Sequence, residues 1–564
     1  MSTEIERGRD ALLAWEASKP TNYFTWDGNL ARVLELRLGA DRFREERQRL
    51  SQAGEAVATR LRTLAVETNH DANLPRLERF DGLGVLREQV VFHPSYHDAG
   101  RLIWQTGVLS EYSRPGNETL QMALLYLFAQ VGESGHLCPL ACTAGMIKSI
   151  QELGTDEQKK KYLPGLYQRD YDRRIHASQF LTEIQGGSDV GLNAVVARAE
   201  DGGYRLYGEK WFCSVIDARL FLMTARPEGA PSGTRGLGLF IVPREVDGAV
   251  NRFSVRRLKQ KLGTRAMASG EADFEGAWAE PIGALDRGFK NVVSIVLNTS
   301  RLYNAVCCSG AITGAYREAA TFARHRRAFG EAIASFPLVG QALAELRAEA
   351  LASLSGCLRI AAQADRMLVQ GASDEERLAW RIAVNVNKYW TAVRNTQSAQ
   401  RAIEVLGGNG TIETFSPLVQ LYRDSMVLES WEGSHNVLVQ QVLRDSARYG
   451  AHLAFQKELG EALKKAAVAP DDRPLVERAQ QGLLALGRGF ERLGAGEGDQ
   501  RFGRLLVDQA AVLIQIVGML EELAAHPGDA QKRAAIALTQ ERFLKTELCP
   551  PGPLADALLG PPEL

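Results

Sequence analysis

The segment Leu428-Glu429-Ser430-Trp431-Glu432-Gly433-Ser434-His435-Asn436 places an aromatic side chain, a carboxylate and a glycine in succession. A carboxylate displayed at a glycine turn can act as a general base. Just upstream, Gly407-Gly408-Asn409-Gly410 forms a glycine-rich turn, whose backbone N–H groups can bind phosphate. The two segments together predict a site where Glu432 removes a proton, close to a turn that holds a phosphate-bearing group.

A second group of polar residues lies in the middle of the chain. Thr182 and Ser188 are hydroxyls six positions apart that flank a glycine turn at Gly187. They could bond the polar edge of a flat ring and a phosphate. One hairpin later, Phe212 stands two positions before Ser214, and an aromatic near a hydroxyl could cover a flavin ring. Each feature alone is more typical of an ordinary turn or a core aromatic.

The composition is that of an ordinary globular protein. A chain of 564 residues is too long for one simple hydrophobic core, and this length predicts three or four domains. A net charge of −1 gives no global electrostatic reason to expect a nucleic acid or an acidic membrane as partner. The seven cysteines favour reduced, buried thiols and a cytoplasmic location, and the polar start Met1-Ser2-Thr3-Glu4 does not resemble a signal peptide.

The hydrophobic periodicity predicts an α+β protein of four parts. Residues 1–173 read as mainly helical, and residues 174–288 contain short alternating runs typical of an antiparallel, β-barrel-like domain. Residues 289–448 read as a bundle of long helices, followed by a helical extension over 449–564. His93 and His97 have a metal-binding spacing, but Pro94 between them and the lack of an evident third ligand argue against a metal site.

Several motifs in a fixed order resemble the acyl-CoA dehydrogenase family. The motifs are Thr182 to Asp189, Arg326-Arg327-Ala328-Phe329-Gly330, Gly407 to Gly410, Arg423-Asp424 and Trp431 to Ser434. Two positions depart from the family pattern: Ile184 replaces a proline and Pro337 a glutamine. The segments Lys210-Trp211-Phe212-x-Ser214 and Lys261-Leu262-Gly263-x-Arg265, with the helical extension, are most similar to the AidB-like branch, the adaptive alkylation-response flavoproteins.

This resemblance implies an N-terminal helical domain, a middle β domain and a C-terminal bundle that hold FAD between them. It implies FAD contacts on one side from Leu181, Thr182, Gly187, Ser188, Phe212, Ser214, Ser434 and Asn436. It also implies that a neighbouring subunit completes the adenine side through Arg326, Phe329, Gly407, Gly408 and Gly410. A homodimer or homotetramer is therefore expected. Neither a P-loop nor G-x-G-x-x-G occurs in the sequence, which gives no support to an NTPase or a Rossmann domain.

The resemblance further implies that Glu432 takes the α proton of an acyl-CoA while the β hydride leaves for the flavin, as in fatty acid metabolism. The alternative family position for the base is Ser300, which cannot serve. Arg301 is expected to lie at the substrate, with a buried ion pair in the bundle as the open alternative. Asp424 and Arg423 are interpreted as a structural pair, and His435 as a solvated histidine at a helix start.

Three functions are compatible with these residues. The first is an acyl-CoA dehydrogenase that passes electrons to an electron-transfer flavoprotein. The second is an AidB-like flavoprotein of the alkylation stress response with weak turnover and DNA association; about 13 Lys and Arg against about 16 Asp and Glu in residues 451–564, near −3, argue against strong duplex binding. The third is a flavin oxidase or monooxygenase, which the glutamate at position 432 disfavours. Acyl chain length is not readable from the sequence.

Overall fold

Helices dominate both ends of the chain and strands occupy its middle. The computed structural model describes residues 4–200 and 202–550. The first part contains a β-hairpin inside a set of helices: α1 (Glu4–Ala17), α2 (Asn29–Leu38), α3 (Ala40–Ala56), α4 (Arg62–Asn69), β1 (Arg76–Phe80), β2 (Leu86–Val91), α5 (Pro94–Trp104), α6 (Glu118–Ala129), α7 (Leu137–Leu153) and α8 (Asp156–Leu166).

Two of these helices form as the sequence predicts. Helix α6 is buried over its whole length, which explains its nearly continuous apolar run. Helix α8 begins with a capping box, in which the Thr155 hydroxyl accepts the Gln158 N–H and the Gln158 side chain accepts the Thr155 N–H.

The middle part is a seven-stranded sheet with one small two-stranded ribbon. Its strands are β3 (Ala177–Phe180), β4 (Val196–Glu200), β5 (Gly203–Ser214), β6 (Leu220–Pro227), β7 (Gly238–Pro243), β8 (Glu245–Val246), β9 (Ala249–Val250), β10 (Phe253–Leu258) and β11 (Ser269–Pro281). The order is β10-β11-β5-β4-β6-β3, and β7 pairs with both β6 and β11. The prediction of a wholly antiparallel sheet is wrong, because β6 runs parallel to both β3 and β4.

Long helices then build the bundle. Its elements are α9 (Gly288–Asn291), α10 (Asn298–His325), β12 (Arg327–Ala328), β13 (Glu331–Ala332), α11 (Pro337–Gln370), α12 (Asp374–Leu406), α13 (Leu418–Ser430) and α14 (His435–Tyr449). Helix α10 is buried along most of its 28 residues, and it packs against α6, α11 and α12. Side chains at the centre of α10 and α12 are therefore shielded from solvent unless a cleft opens beside them.

The extension adds four helices: α15 (Ala451–Lys465), α16 (Arg473–Gly494), α17 (Gln500–Ala525) and α18 (Ala530–Phe543). Helix α17 is long and apolar enough to cross a membrane by length and composition, but 83% of its most apolar window is buried inside the protein. It packs against α11 and α12, as a core helix does. The extension is thus joined to the bundle along its length, and its last predicted residues, 551–564, lie outside the described part of the chain.

Candidate active site

Glu432 lies in the turn that joins α13 to α14. Its backbone φ is 59°, and Gly433 follows with φ 102°, so two successive residues lie in the left-handed region. That region is unfavourable for a residue with a side chain, at a cost of about 1–3 kcal/mol. The surrounding structure must therefore supply contacts that hold the turn in place.

Arg301 supplies one of these contacts from α10. Its Nε donates to the backbone carbonyl of Glu432 at 3.0 Å. Its Nη1 donates to the side-chain oxygens of Asn385 at 2.6 Å and Gln441 at 3.0 Å. The arginine is 2% exposed. The Nε and Nη1 atoms are directed at the turn and into the bundle, and the expectation that Arg301 contacts substrate stays a prediction.

Lys388 supplies a second contact that the sequence analysis did not predict. It is fully buried on α12, and its Nζ donates to the carbonyls of Glu429 at 3.0 Å and Gly433 at 3.3 Å. Asn385 and Lys388 are three positions apart and share one face of the helix. A lysine and an asparagine inside an otherwise buried bundle helix were the signal available in the sequence.

The electrostatics of the turn suit a base that works near neutral pH. Burial raises the pKa of Glu432 to about 7, although Arg301 and Lys388 act in the opposite direction. Burial also lowers the pKa of Arg301 to about 10 and that of Lys388 to about 8. A carboxyl group with a pKa near the working pH can accept a proton and release it again.

The β sheet reaches this turn through β3. The Ser300 hydroxyl, next to Arg301, donates to the side-chain oxygen of Gln179 at 3.4 Å. Gln179 stands two positions before Leu181, where the predicted flavin loop begins. Trp431 packs against the apolar core of the sheet. The loop after β3 and the Glu432 turn therefore border the same region.

The predicted flavin-contacting residues of the sheet form one open surface. The Trp211 N–H donates to the Thr182 carbonyl at 2.9 Å, which joins the loop after β3 to the end of β5. Below them, the buried side chains of Lys210 and Glu183 form an ion pair at 2.8 Å. Phe212 is 51% exposed above this anchor. The remaining predicted residues of this group are exposed or half-buried: Leu181, Gly187, Ser188 and Ser214.

The second predicted group lies at the far end of the bundle. Arg301 lies near the start of α10, and Arg326 directly follows the end of this helix. The two residues are 25 positions apart, which corresponds to about 37 Å at the rise of an α-helix. Phe329 follows in the β12–β13 hairpin and is 98% exposed. The Gly407–Gly410 turn ends α12 at the same end, where Leu406 and Phe322 share one apolar cluster. Within one chain this group, which includes Gly408, lies apart from the Glu432 turn along α10 and α12.

The start of α14 is tied to the extension. Ser434 is the N-cap residue, is exposed, and makes no side-chain cap bond. The Asn436 side-chain oxygen, predicted to contact cofactor, accepts Arg504 Nη2 of α17 at 2.7 Å. Arg504 also donates to the Tyr389 hydroxyl at 2.8 Å, and that hydroxyl donates to Asp508 at 2.7 Å.

Two interpretations of neighbouring residues are wrong. His435 is not a solvated histidine: its Nε2 lies 2.7 Å from a Glu429 carboxylate oxygen, and Thr396 donates to the other oxygen. Asp424 does not pair with Arg423. It accepts the backbone N–H groups of Thr264 at 2.6 Å and Glu133 at 3.0 Å, while Arg423 pairs with Glu413.

Asp424 therefore joins three parts of the chain by backbone hydrogen bonds. Its burial raises its pKa to about 6. Gly263, beside Thr264, could not carry a side chain, because an added carbon would lie 2.1 Å from the Arg423 carbonyl oxygen. The close approach of Gly263 to the Arg423 backbone gives a structural rather than a chemical reason for the motifs Lys261 to Arg265 and Arg423-Asp424.

Family models match three successive segments of the chain. The model of the adaptive response protein AidB N-terminal domain matches residues 16–173. The acyl-CoA dehydrogenase middle domain matches residues 178–277, and the acyl-CoA dehydrogenase C-terminal domain matches residues 286–447.

Individual relatives agree with these matches. The chain is 32% identical to the putative acyl-CoA dehydrogenase AidB of Escherichia coli (strain K12) over 415 residues, 70% of this chain and 72% of the relative. It is 30% identical to acyl-CoA dehydrogenase family member 11 of Caenorhabditis elegans over 463 residues, 78% of this chain and 73% of the relative. The crystal structure of C. elegans ACDH-11 in complex with C11-CoA superposes with a TM-score of 0.86 at 26% identity, covering 92% of this chain and 91% of that one.

Proposed function

This chain belongs to the acyl-CoA dehydrogenase family, in its AidB-like branch, and from that premise we propose that it is an FAD-dependent acyl-CoA dehydrogenase whose base is Glu432. The observation that carries the proposal is the Glu432 turn itself. A carboxylate with a pKa of about 7 is held in a left-handed turn by two buried cations, at the border between bundle and sheet.

The open surface of the sheet fits FAD. The half-exposed Phe212 ring offers a face for a flat ring system, and Ser214 lies beside it. The exposed hydroxyl of Ser188 and the uncapped N-terminus of α14 at Ser434 offer donors for phosphate or hydroxyl groups. When bound, FAD supplies the acceptor for the hydride that leaves the β carbon of the substrate.

The protein's own part in the reaction is proton removal. The Glu432 carboxylate takes the α proton of the thioester and becomes a carboxylic acid, while the electron pair of that C–H bond forms the new double bond. The backbone N–H of Glu432 stabilises the charge that develops on the thioester oxygen. Substrate would further bury the carboxyl group and adjust its pKa within the working range.

The position of Arg326, Phe329 and the Gly407–Gly410 turn supports an oligomer. Arg326 lies about 37 Å along the bundle from Arg301, and Gly407 lies 19 positions beyond Lys388 on α12, about 28 Å at the helical rise. We therefore propose that they serve the FAD of a neighbouring subunit in a homodimer or homotetramer. An electron-transfer flavoprotein is the proposed electron acceptor, and the cytoplasmic location stays a prediction.

DNA association, as an AidB-like alternative, has less support from the extension. Many of its cations are engaged in ion pairs, among them Lys457 with Glu375, Arg492 with Glu497, and Arg533 with Asp472. Paired cations contribute less to the phosphate neutralisation that drives duplex binding. The same purified protein can be assayed for salt-sensitive DNA binding.

The decisive experiment is anaerobic titration with a panel of acyl-CoAs. We expect at least one to bleach the flavin absorbance of the wild-type protein, and Glu432→Gln to slow bleaching about 1,000-fold while FAD stays bound. Glu413→Gln, which alters an exposed carboxylate on the loop before α13, is the matched control and should behave as wild type. Bleaching by no acyl-CoA, together with tight DNA binding, would refute the dehydrogenase and favour the alternative.

A further inference from the structure

Lys388 is a buried cation that the reaction does not use directly. It is 0% exposed on α12, beneath the turn that carries Glu432. Within the described residues, Lys388 and Arg301 bond only uncharged oxygen atoms: three backbone carbonyls and two side-chain amides. Burying an ammonium group that makes no hydrogen bond to a carboxylate is costly even with Glu429 and Glu432 nearby, so its retention points to a structural use.

The hydrogen bonds of Lys388 identify that use. Helix α13 ends at Ser430, so the Glu429 carbonyl is one of the last four, which lack a partner within the helix. Lys388 donates to this carbonyl and to that of Gly433, three residues beyond the helix end. It thus spans the turn, bonding one carbonyl before Glu432 and one after it. A cation at a helix C-terminus also interacts favourably with the helix dipole.

The spanning contact explains the backbone of Glu432. A residue with a side chain in the left-handed region persists only where neighbouring contacts fix it. Arg301 holds the Glu432 carbonyl, and Lys388 holds the carbonyls on either side. Loss of Lys388 would free both flanking carbonyls while leaving the Arg301 contact intact.

We propose that Lys388 is a positioning residue for the Glu432 base: it caps α13 and closes the Glu432–Gly433 turn, which keeps the carboxylate in place at the border between bundle and sheet. Its effect on catalysis rests on the proposed function, whereas its effect on the turn rests on the hydrogen bonds alone. The positive charge also lowers the pKa of Glu432 against the effect of burial.

The test compares Lys388→Met with Lys532→Met in the full-length FAD-bound protein. Lys532 is a matched control, because it is 2% exposed and bonds Asn29 and Glu522, far along the chain from the turn. In Lys388→Met we expect amide hydrogen exchange of the 428–437 peptide to accelerate about tenfold, with no such change in Lys532→Met. We also expect kcat to fall more than KM rises, and the acid limb of the rate profile to move up by about one pH unit.

Unchanged exchange in the 428–437 peptide, or an equal increase in both variants, would overturn the proposal. The exchange result stands even if no acyl-CoA reduces the wild-type protein, an outcome that would refute only the proposed function. If Lys388→Met does not yield folded protein, Lys388→Gln keeps an N–H donor without the charge. Its 428–437 peptide should exchange faster than that of the wild type but by less than tenfold, and its acid limb should show the same upward shift; a profile identical to wild type would count against the proposed charge effect.

Discussion

The Glu432 turn and the Gly407–Gly410 turn look alike in the sequence but differ in how they are completed. Both follow a helix of the bundle and both contain glycine with positive φ. The Glu432 turn is held from inside the chain, where Arg301 and Lys388 bond the carbonyls of three of its residues. At the other turn, a side-chain carbon added to Gly407 or Gly408 would meet open space.

This difference indicates which part of the candidate site a single chain can form without a neighbouring subunit. A base needs a fixed position and a tuned pKa, and both come from buried groups of the same chain. The exposed turn, with Phe329 98% exposed near the same end of the bundle, presents surface to something outside the chain. Variants that affect one turn should therefore leave the other unchanged.

The largest effect is expected from the internal turn. Arg301→Met removes the bond to the Glu432 carbonyl and leaves Asn385 and Gln441 without their shared donor. We expect flavin reduction to slow about 100-fold, because a base displaced by a fraction of an ångström loses its alignment. The measurement is anaerobic stopped-flow absorbance of the flavin.

The matched control for Arg301→Met is Arg317→Met. Arg317 is an equally buried arginine on α10, bonded to Gln130 at 2.5 Å and stacked 3.4 Å over Tyr23. We expect it to lower thermal stability without slowing reduction. An equal loss of rate in both variants would show that general packing of α10, and not support of the turn, limits the reaction.

The pH dependence of the flavin reduction rate should also distinguish the Glu432 turn from the Gly407–Gly410 turn. Because Glu432 must be ionised to accept a proton and its pKa is about 7, the reduction rate of the free enzyme should fall about tenfold for each pH unit below 7. FAD content per chain should stay constant from pH 6 to 8. A flat rate profile across this range would mean that chemistry is not limiting or that Glu432 is not the base.

Much of the fold follows from local sequence patterns. Helix α12 begins at Asp374 behind a Ser373–Glu376 capping box, a start signal that is readable in the sequence. The parallel pairing of β6 with β3 and β4 could not be predicted, because strand direction depends on long-range crossovers that alternation does not encode.

Residues of the candidate site could be predicted from the sequence where they belong to recognisable motifs. They could not be predicted where their role depends on hydrogen-bond partners far away in the sequence. Glu432, Thr182 and Phe212 could be proposed as site residues because they belong to motifs in the sequence, and their roles stay predictions. Lys388 and Arg504 could not, because each bonds atoms at least 41 positions away. The contacts of Arg301 could not be predicted either, since a sequence gives the residue type but not the direction of its donors.

A smaller effect, on FAD binding rather than on the reduction rate, is expected at the end of the bundle that carries the Gly407–Gly410 turn. Phe329→Ala should weaken FAD binding about tenfold through loss of an aromatic contact made in the oligomer, with the reduction rate of the remaining bound flavin unchanged. Leu338→Ala is the control, because Leu338 is also highly exposed and lies at the start of α11. Flavin absorbance per chain and sedimentation mass would be measured together. Full flavin content in Phe329→Ala would contradict the proposal that a neighbouring subunit uses this end of the bundle.

The smallest effect tests whether the extension belongs to the internal turn. Arg504 of α17 bonds Asn436 and Tyr389, so it holds the start of α14 just beyond Glu432, but it is only half-buried. Arg504→Gln should slow flavin reduction about threefold, because a partly solvated hydrogen bond contributes little net free energy. Arg488→Gln, an exposed arginine of α16 bonded to the Thr546 carbonyl, should leave the rate unchanged. If both variants react like wild type, the extension only packs against the bundle. A slower rate in Arg504→Gln alone would mean that the support of the base continues into the fourth part of the chain.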